Sequence, residues 1–171
     1  TSETPFFRIL KKVVNATTGQ DPGVDAVPGN TLRYTIEMTN TSSFDITGYS
    51  FTDDLDALNA TPMFAAGTLN ITTVPAGADI SNTDSNGGTK NSGFVDIRNL
   101  NLGAAGSGNE TLIIEFEVQL VASITNGTTV LNQGYTVIDG INYPTDDPNI
   151  NGIEDPLVTG DSDPTETLIS S

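Results

Sequence analysis

One stretch of the sequence has the residue types and spacing of a calcium-binding loop. Residues 147–155 read Asp-Pro-Asn-Ile-Asn-Gly-Ile-Glu-Asp, which fits the pattern Asp-x-Asn-x-Asn-Gly. Oxygen side chains at alternate positions can surround a Ca²⁺ ion, and the glycine permits the sharp turn. Val158 stands where a bidentate glutamate is usual, and a solvated acidic turn is the alternative. The sequence predicts a Ca²⁺ site with these ligands: Asp147, Asn149, Asn151 and Asp155.

The overall composition excludes several kinds of chemistry. The 171 residues include no cysteine and no histidine, which removes thiol nucleophiles, imidazole bases, disulfides and most zinc sites. The 22 acidic and 6 basic residues give a net charge of −16. Such a surface suits cations but neither nucleic acid nor anionic membranes, which require Lys and Arg. No apolar run approaches the ~18 residues of a membrane span, so we expect no membrane insertion.

Paired carboxylates are the remaining candidates for catalysis, and their spacing is unsuitable. Asp53 and Asp54 are adjacent, so on a strand they point to opposite faces. Glu115 and Glu117 share a face, but it is the polar face of their strand. The sequence has no tryptophan for a sugar platform, no Gly-x-Ser-x-Gly elbow and no phosphate-binding glycine loop. We therefore expect a protein that is not an enzyme.

The elements that position these residues are predicted to be β-strands. Apolar and polar side chains alternate with a period of two over residues 32–39 and 111–120. Turn sequences rich in Gly, Pro and Asn separate further short strand candidates. This pattern predicts an all-β fold, an immunoglobulin-like antiparallel β-sandwich of about seven to nine strands. The predicted core consists of Leu32, Tyr34, Ile36, Met38, Phe51, Leu112, Ile114, Phe116 and Val118.

The carboxyl-terminal part of the chain differs in composition from the rest. Residues 139–166 contain eight acidic residues, three Asp-Pro steps and no basic residue. We interpret residues 1–138 as the core of the sandwich. Residues 139–171 are interpreted as an acidic loop segment and a terminal strand belonging to the same domain.

Residues 28–56, PGNTLRYTIEMTNTSSFDITGYSFTDDLD, resemble the repeat family known as domain of unknown function eleven. The family pattern is a glycine turn, a strand ending in Tyr-Thr-Ile-x-x-x-Asn, and a strand ending in Thr-Asp-x-Leu. Two departures are Gly134 and Tyr49, where the family usually has Ala and Val. Residues 9–17, 131–137 and 143–159 resemble the family more weakly. With them, the resemblance extends over roughly the whole chain.

This resemblance implies an immunoglobulin-like sandwich at the surface of a bacterial or archaeal cell. We therefore expect a non-catalytic, extracellular structural domain of a pilus or fibre, whose partners are copies of itself or neighbouring repeats arranged head-to-tail. One alternative is a link of a tandem-repeat adhesin stalk. Another is a ligand- or carbohydrate-binding module of a secreted protein, which would require Tyr34, Tyr135 or Tyr143 to be exposed.

Related surface sandwiches also join a lysine of the first strand to an asparagine of a late strand by an isopeptide bond. The resemblance assigns the lysine to Lys12, with Lys11 as the alternative, the asparagine to Asn132 and the promoting acid to Asp53. Burial would favour the neutral amine and neutral acid that attack on an amide requires. The alternative is that Asp53 binds turn amides while Lys12 extends to solvent.

Two further features concern the surface. Residues 4–14 are apolar on both faces and contain half of the six basic residues, which predicts either the first strand of the sandwich or a donor strand for the next subunit.

The sequence also contains six Asn-x-Ser/Thr acceptors for N-glycosylation, which are used only if the source organism has that pathway. They are Asn15, Asn40, Asn59, Asn70, Asn109 and Asn126.

Overall fold

The computed structural model describes residues 6–154, 158 and 160–171, and strands dominate them. No described residue lies in a helix long and apolar enough to cross a bilayer. The strands in chain order are β1 (Phe7–Asn15), β2 (Asp25–Ala26), β3 (Thr31–Asn40), β4 (Ile46–Asp54), β5 (Asn70–Thr73), β6 (Phe94–Leu102), β7 (Thr111–Gln119), β8 (Thr129–Asn132), β9 (Tyr135–Ile138), β10 (Ile141–Pro144) and β11 (Thr165–Ile169).

The strands form two four-stranded sheets and one three-stranded sheet. The orders are β1-β3-β7-β5, β10-β9-β4-β6 and β2-β11-β8, with β2–β11 as a parallel pair among antiparallel ones. Aromatic contacts join the two larger sheets: the Phe7 ring meets Tyr49 at 6.1 Å and Tyr143 at 5.4 Å between centroids. The predicted all-β sandwich is confirmed. The described residues contain eleven strands, because the short strands β2 and β10 are additional and residues 133–134 separate β8 from β9.

Strand β3 is central to the first sheet, and its alternation sets the core. It pairs with β1 on one side and β7 on the other, so Tyr34 lies opposite both Val13 and Phe116. All nine predicted core residues are buried, which confirms that prediction. Each large apolar side chain removed from water contributes roughly 1.5–3 kcal/mol to the free energy of unfolding.

Strand β1 is an internal strand of its own domain. It pairs with β3 over nine residue pairs, from Phe7↔Asn40 to Asn15↔Leu32. Along its other edge, the Lys11 N–H donates to the Asp146 carbonyl at 2.8 Å, and the chain there runs parallel to β1. Both edges of β1 are therefore paired within one chain. Its inward face is buried, whereas Arg8 and Lys12 on the other face are exposed.

The segment between β8 and β9 passes so close to Phe51 that only glycine fits at residue 134. An ideal Cβ on Gly134 would lie 2.3 Å from Cζ and 2.6 Å from Cε1 of Phe51, whose ring is fully buried. The ring of Phe51 occupies the space that a methyl group would need. The departure from the usual alanine of the resembled family thus has a steric reason.

We expect Gly134→Ala to lower the free energy of unfolding by about 1–3 kcal/mol, because overpacking displaces the Phe51 ring. Urea denaturation monitored by circular dichroism measures the loss. In a Phe51→Leu background the same substitution should cost less, because the smaller side chain leaves room for the methyl group. Equal costs in both backgrounds would show that the clash is not the cause.

Candidate cross-linking site

Lys11, Asp53 and Asn132 meet in the core, where β1, β4 and β8 approach one another. The Lys11 Nζ lies 2.5 Å from Asp53 Oδ2, and the Asn132 Nδ2 donates to Asp53 Oδ1 at 2.9 Å. All three residues are 1% exposed or less. They are 42 and 79 residues apart along the chain, so only the tertiary fold brings them together. One carboxyl group therefore holds an amine on one oxygen and a primary amide on the other.

The structure places Lys11, and not Lys12, beside Asp53. Lys11 pairs with the buried Ile36 in the β1–β3 register, and its side chain points inward with that of Ile36. Lys12 follows on the opposite face and is exposed. The first assignment of the cross-linking lysine to Lys12 is therefore corrected to Lys11. The cross-link itself stays a prediction.

The Lys11 amine lies beside two aromatic rings in a buried pocket. The Nζ lies 4.6 Å from the centroid of Tyr34 and 5.3 Å from that of Phe116. Burial lowers the pKa of the Lys11 amine, while the Asp53 carboxyl opposes the shift. Burial in an apolar pocket is the condition that favours a neutral, nucleophilic amine.

The amide of Asn132 is held in one orientation. Its nitrogen donates to Asp53 Oδ1 and also to the Leu55 carbonyl at 3.2 Å. These two acceptors use both amide hydrogens, while Asn132 Oδ1 has no hydrogen-bond partner among the described residues. An amine, a carboxyl group and a fixed primary amide in a dry core are the components of an intramolecular aminolysis.

The six candidate glycosylation sites divide into two groups. Asn15, Asn40 and Asn59 are buried, and each donates both amide hydrogens to acceptors of the protein. A glycan on any of these nitrogens is incompatible with the folded domain. The other three side chains are exposed, and glycosylation stays a prediction for these: Asn70, Asn109 and Asn126.

The predicted calcium loop is described only in part. Asp147 Oδ1 accepts the Asn149 N–H at 2.9 Å, and Asn149 and Asn151 are exposed. Asp155 lies outside the described residues. No group of three or more acidic, histidine or cysteine side chains in the described part of the chain is arranged to hold a metal. The Ca²⁺ site stays a prediction.

Asp146, which the sequence analysis did not select, organises this acidic segment. Its Oδ2 accepts the Glu154 N–H at 2.9 Å and its Oδ1 accepts the Asp163 N–H at 3.0 Å. Burial raises the pKa of Asp146, Asp147 and Glu154, and the neighbouring Asp161 raises that of Glu154 further. The Asp-Asp-Pro sequence at residues 146–148 was the available signal, but only the fold shows that both aspartates are buried.

These raised pKa values predict that mild acid stabilises the protein. Above the folded pKa the buried carboxylates are charged at a cost, and the cost disappears as the pH falls towards the unfolded values of about 4. We expect the melting temperature to rise between pH 7.5 and pH 5 at fixed ionic strength, measured by differential scanning calorimetry. Glu154→Gln should reduce this rise, whereas the matched control Glu37→Gln, on the exposed face of β3, should not. The same pH dependence in both variants would contradict the assignment.

Comparison with known proteins shows similarity at the level of the fold. No family model and no curated protein matches the chain. Similar solved structures include a putative membrane-anchored protein from Corynebacterium diphtheriae, with 11% identity, 100% of this chain and 37% of that chain covered, and a TM-score of 0.53. The others include the major pilin subunit BcpA of Bacillus cereus, with 11% identity, 96% and 41% coverage, and a TM-score of 0.47.

A further similar structure is the C-terminal domain of the antigen I/II-family protein AspA of Streptococcus pyogenes. Its identity is 16%, its coverage is 98% of this chain and 47% of that chain, and its TM-score is 0.45. The chain thus spans less than half the length of each of these three structures. Its likeness to the membrane-anchored protein shows a shared β-sandwich fold.

Proposed function

We propose that this chain is a non-catalytic domain of an extracellular filament, in which an isopeptide bond between Lys11 and Asn132 resists mechanical unfolding. The observation that carries the proposal is the contact of both side chains with one buried carboxyl group, Asp53. The composition agrees, because a chain without cysteine cannot join its strands by disulfide bonds. A net charge of −16 keeps such a domain soluble.

The bond forms without an external reagent. Asp53 takes a proton from the Lys11 ammonium group, and the neutral Nζ attacks Cγ of Asn132. Asp53 then gives its proton to Nδ2, which leaves as ammonia, and takes the second proton from Nζ. One C–N bond forms and one breaks, and Asp53 ends as a neutral acid in an apolar core.

The position of the bond suits a domain under tension. β1 and β8 belong to different sheets, so a bond between them joins the first strand to a late one across the sandwich. Force applied to the two ends of the chain would then pass through the bond and could not peel β1 from β3. The position of the proposed bond, between β1 and β8, is therefore what supports a force-bearing function.

The pairing of β1 within its own domain distinguishes between two kinds of filament, one joined by donor-strand exchange and one built from complete domains. Donor-strand exchange would require β1 to leave nine residue pairs with β3, and a Lys11–Asn132 bond would prevent it. A domain that completes its own sandwich favours a link in a head-to-tail polymer or a tandem stalk. The alternative function, a carbohydrate-binding module, requires exposed tyrosines. Two of its three candidates, Tyr34 and Tyr143, are fully buried.

Intact mass under denaturing conditions tests the bond. We expect the wild-type chain to be about 17 Da, one ammonia, lighter than its sequence. The full mass should return in Lys11→Ala, Asp53→Ala and Asn132→Ala, and the deficit should persist in the matched control Lys12→Ala. Wild-type protein at full mass would contradict the proposal, as would a deficit in Lys11→Ala.

Single-molecule stretching tests the mechanical role. With the bond intact, the roughly 120 residues between the cross-linked side chains cannot extend, which withholds about 420 Å of contour length at about 3.5 Å per residue. We expect Asp53→Ala to release this length and the wild-type domain not to release it. Equal extension of the two proteins would contradict a force-bearing role.

A further inference from the structure

The proposed reaction leaves one atom of the site without a partner. Attack of Nζ on Cγ transfers an electron pair to Asn132 Oδ1, which has no hydrogen-bond donor among the described residues. Asp53 cannot supply that donor in this orientation, because its Oδ1 faces the amide nitrogen. The Leu55 carbonyl also accepts from that nitrogen, so the reversed amide would place two oxygens in repulsive contact.

Tyr34 provides a buried hydroxyl group beside Thr165 that lacks a geometrically complete hydrogen bond. The side chain is fully buried, and its Oη has no hydrogen-bond partner among the described residues. Its ring lies 4.6 Å from the Lys11 Nζ, and its hydroxyl lies beside Thr165 and close to Asp53. An unpaired buried hydroxyl destabilises the folded state, so its presence calls for an explanation.

Thr165 connects this hydroxyl to the reacting residue. Thr165 pairs with Asn132 in the β8–β11 register, and its Oγ1 donates to the Asn132 backbone carbonyl at 3.0 Å. The Thr165 proton is therefore already committed to Asn132. Burial raises the pKa of Tyr34 well above its usual value, so the phenol keeps its proton at neutral pH. Thr165 thus connects the unpaired Tyr34 hydroxyl with the strand that carries Asn132, whose Oδ1 is also unpaired among the described residues.

We propose that the Tyr34 hydroxyl donates a hydrogen bond to Asn132 Oδ1 as the tetrahedral intermediate forms, and so acts as the oxyanion donor of the cross-linking reaction. This inference rests on the proposed function. Two groups then have separate roles in the reaction. Asp53 transfers protons at Lys11 Nζ and Asn132 Nδ2, and Tyr34 stabilises the negative charge on Asn132 Oδ1. The phenol keeps its proton throughout, and the electron pair on Oδ1 returns to the C=O bond when ammonia leaves.

Pulse–chase synthesis of the full chain in a cell-free system tests the inference. Samples quenched in denaturant over time give the fraction with the ammonia deficit by intact mass. We expect Tyr34→Phe, which keeps the ring beside Nζ, to slow cross-linking about 100-fold, as loss of an oxyanion donor does. The matched control is Tyr143→Phe, which removes another buried hydroxyl without a described partner and should cross-link at the wild-type rate.

The stability of chains that cannot cross-link separates chemistry from folding. Asp53→Ala with and without Tyr34→Phe should melt at similar temperatures if the hydroxyl serves the reaction. Loss of folding in the double variant would assign the hydroxyl to stability and overturn the inference. A wild-type rate in Tyr34→Phe would overturn it while leaving the cross-link in place, whereas wild-type protein without any deficit would overturn the proposed function as well.

Discussion

The buried ion pair of Lys11 and Asp53 is the interaction on which the rest of the structure depends. Moving both charges out of water costs several kcal/mol for each ion, and only close partners can offset that cost. Lys11 and Asn132 are the close partners of Asp53, and the Lys11 ammonium group also faces the Tyr34 ring. Conversion of the pair into an amide and a neutral acid would remove both charges from the core. The cost of burial thus favours the proposed reaction.

The surrounding strands hold this pair in place. β1 lies between β3 and the segment at residue 146, so its inward side chains have little freedom. On the far side, the Asn59 amide bonds both the N–H and the carbonyl of Leu131, the residue before Asn132. A buried carboxyl, Asp56, in turn accepts from Asn59 and from the backbone that follows it. These side chains therefore hold in place the part of β8 that carries the Asn132 amide.

The acidic carboxyl-terminal segment closes the same region from outside. The Asp147 N–H donates to the Asp163 carbonyl at 2.9 Å, and the Gln133 side chain donates to the carbonyls of Thr145 and Ser162. This segment runs along β1 and covers Leu10, which is 8% exposed. The segment therefore pairs with the outer edge of the strand that carries Lys11, and burial of its Asp146 and Asp147 carboxylates opposes folding at neutral pH.

Composition and periodicity were enough to predict the fold class, the core residues and the types of chemistry available. Period-two alternation identifies the inward residues of β3 and β7, because a strand half-buried in a sheet must separate its apolar and polar sides. The same rule fails for β1, where both faces are apolar and Lys11 and Lys12 cannot be told apart. Long-range packing decided between them: Asp53 lies on the inward face beside Lys11, whereas Lys12 on the other face is exposed. Burial of individual polar groups, such as the Asn59 amide or the Tyr34 hydroxyl, depends on partners distant in the chain, and no local pattern encodes it.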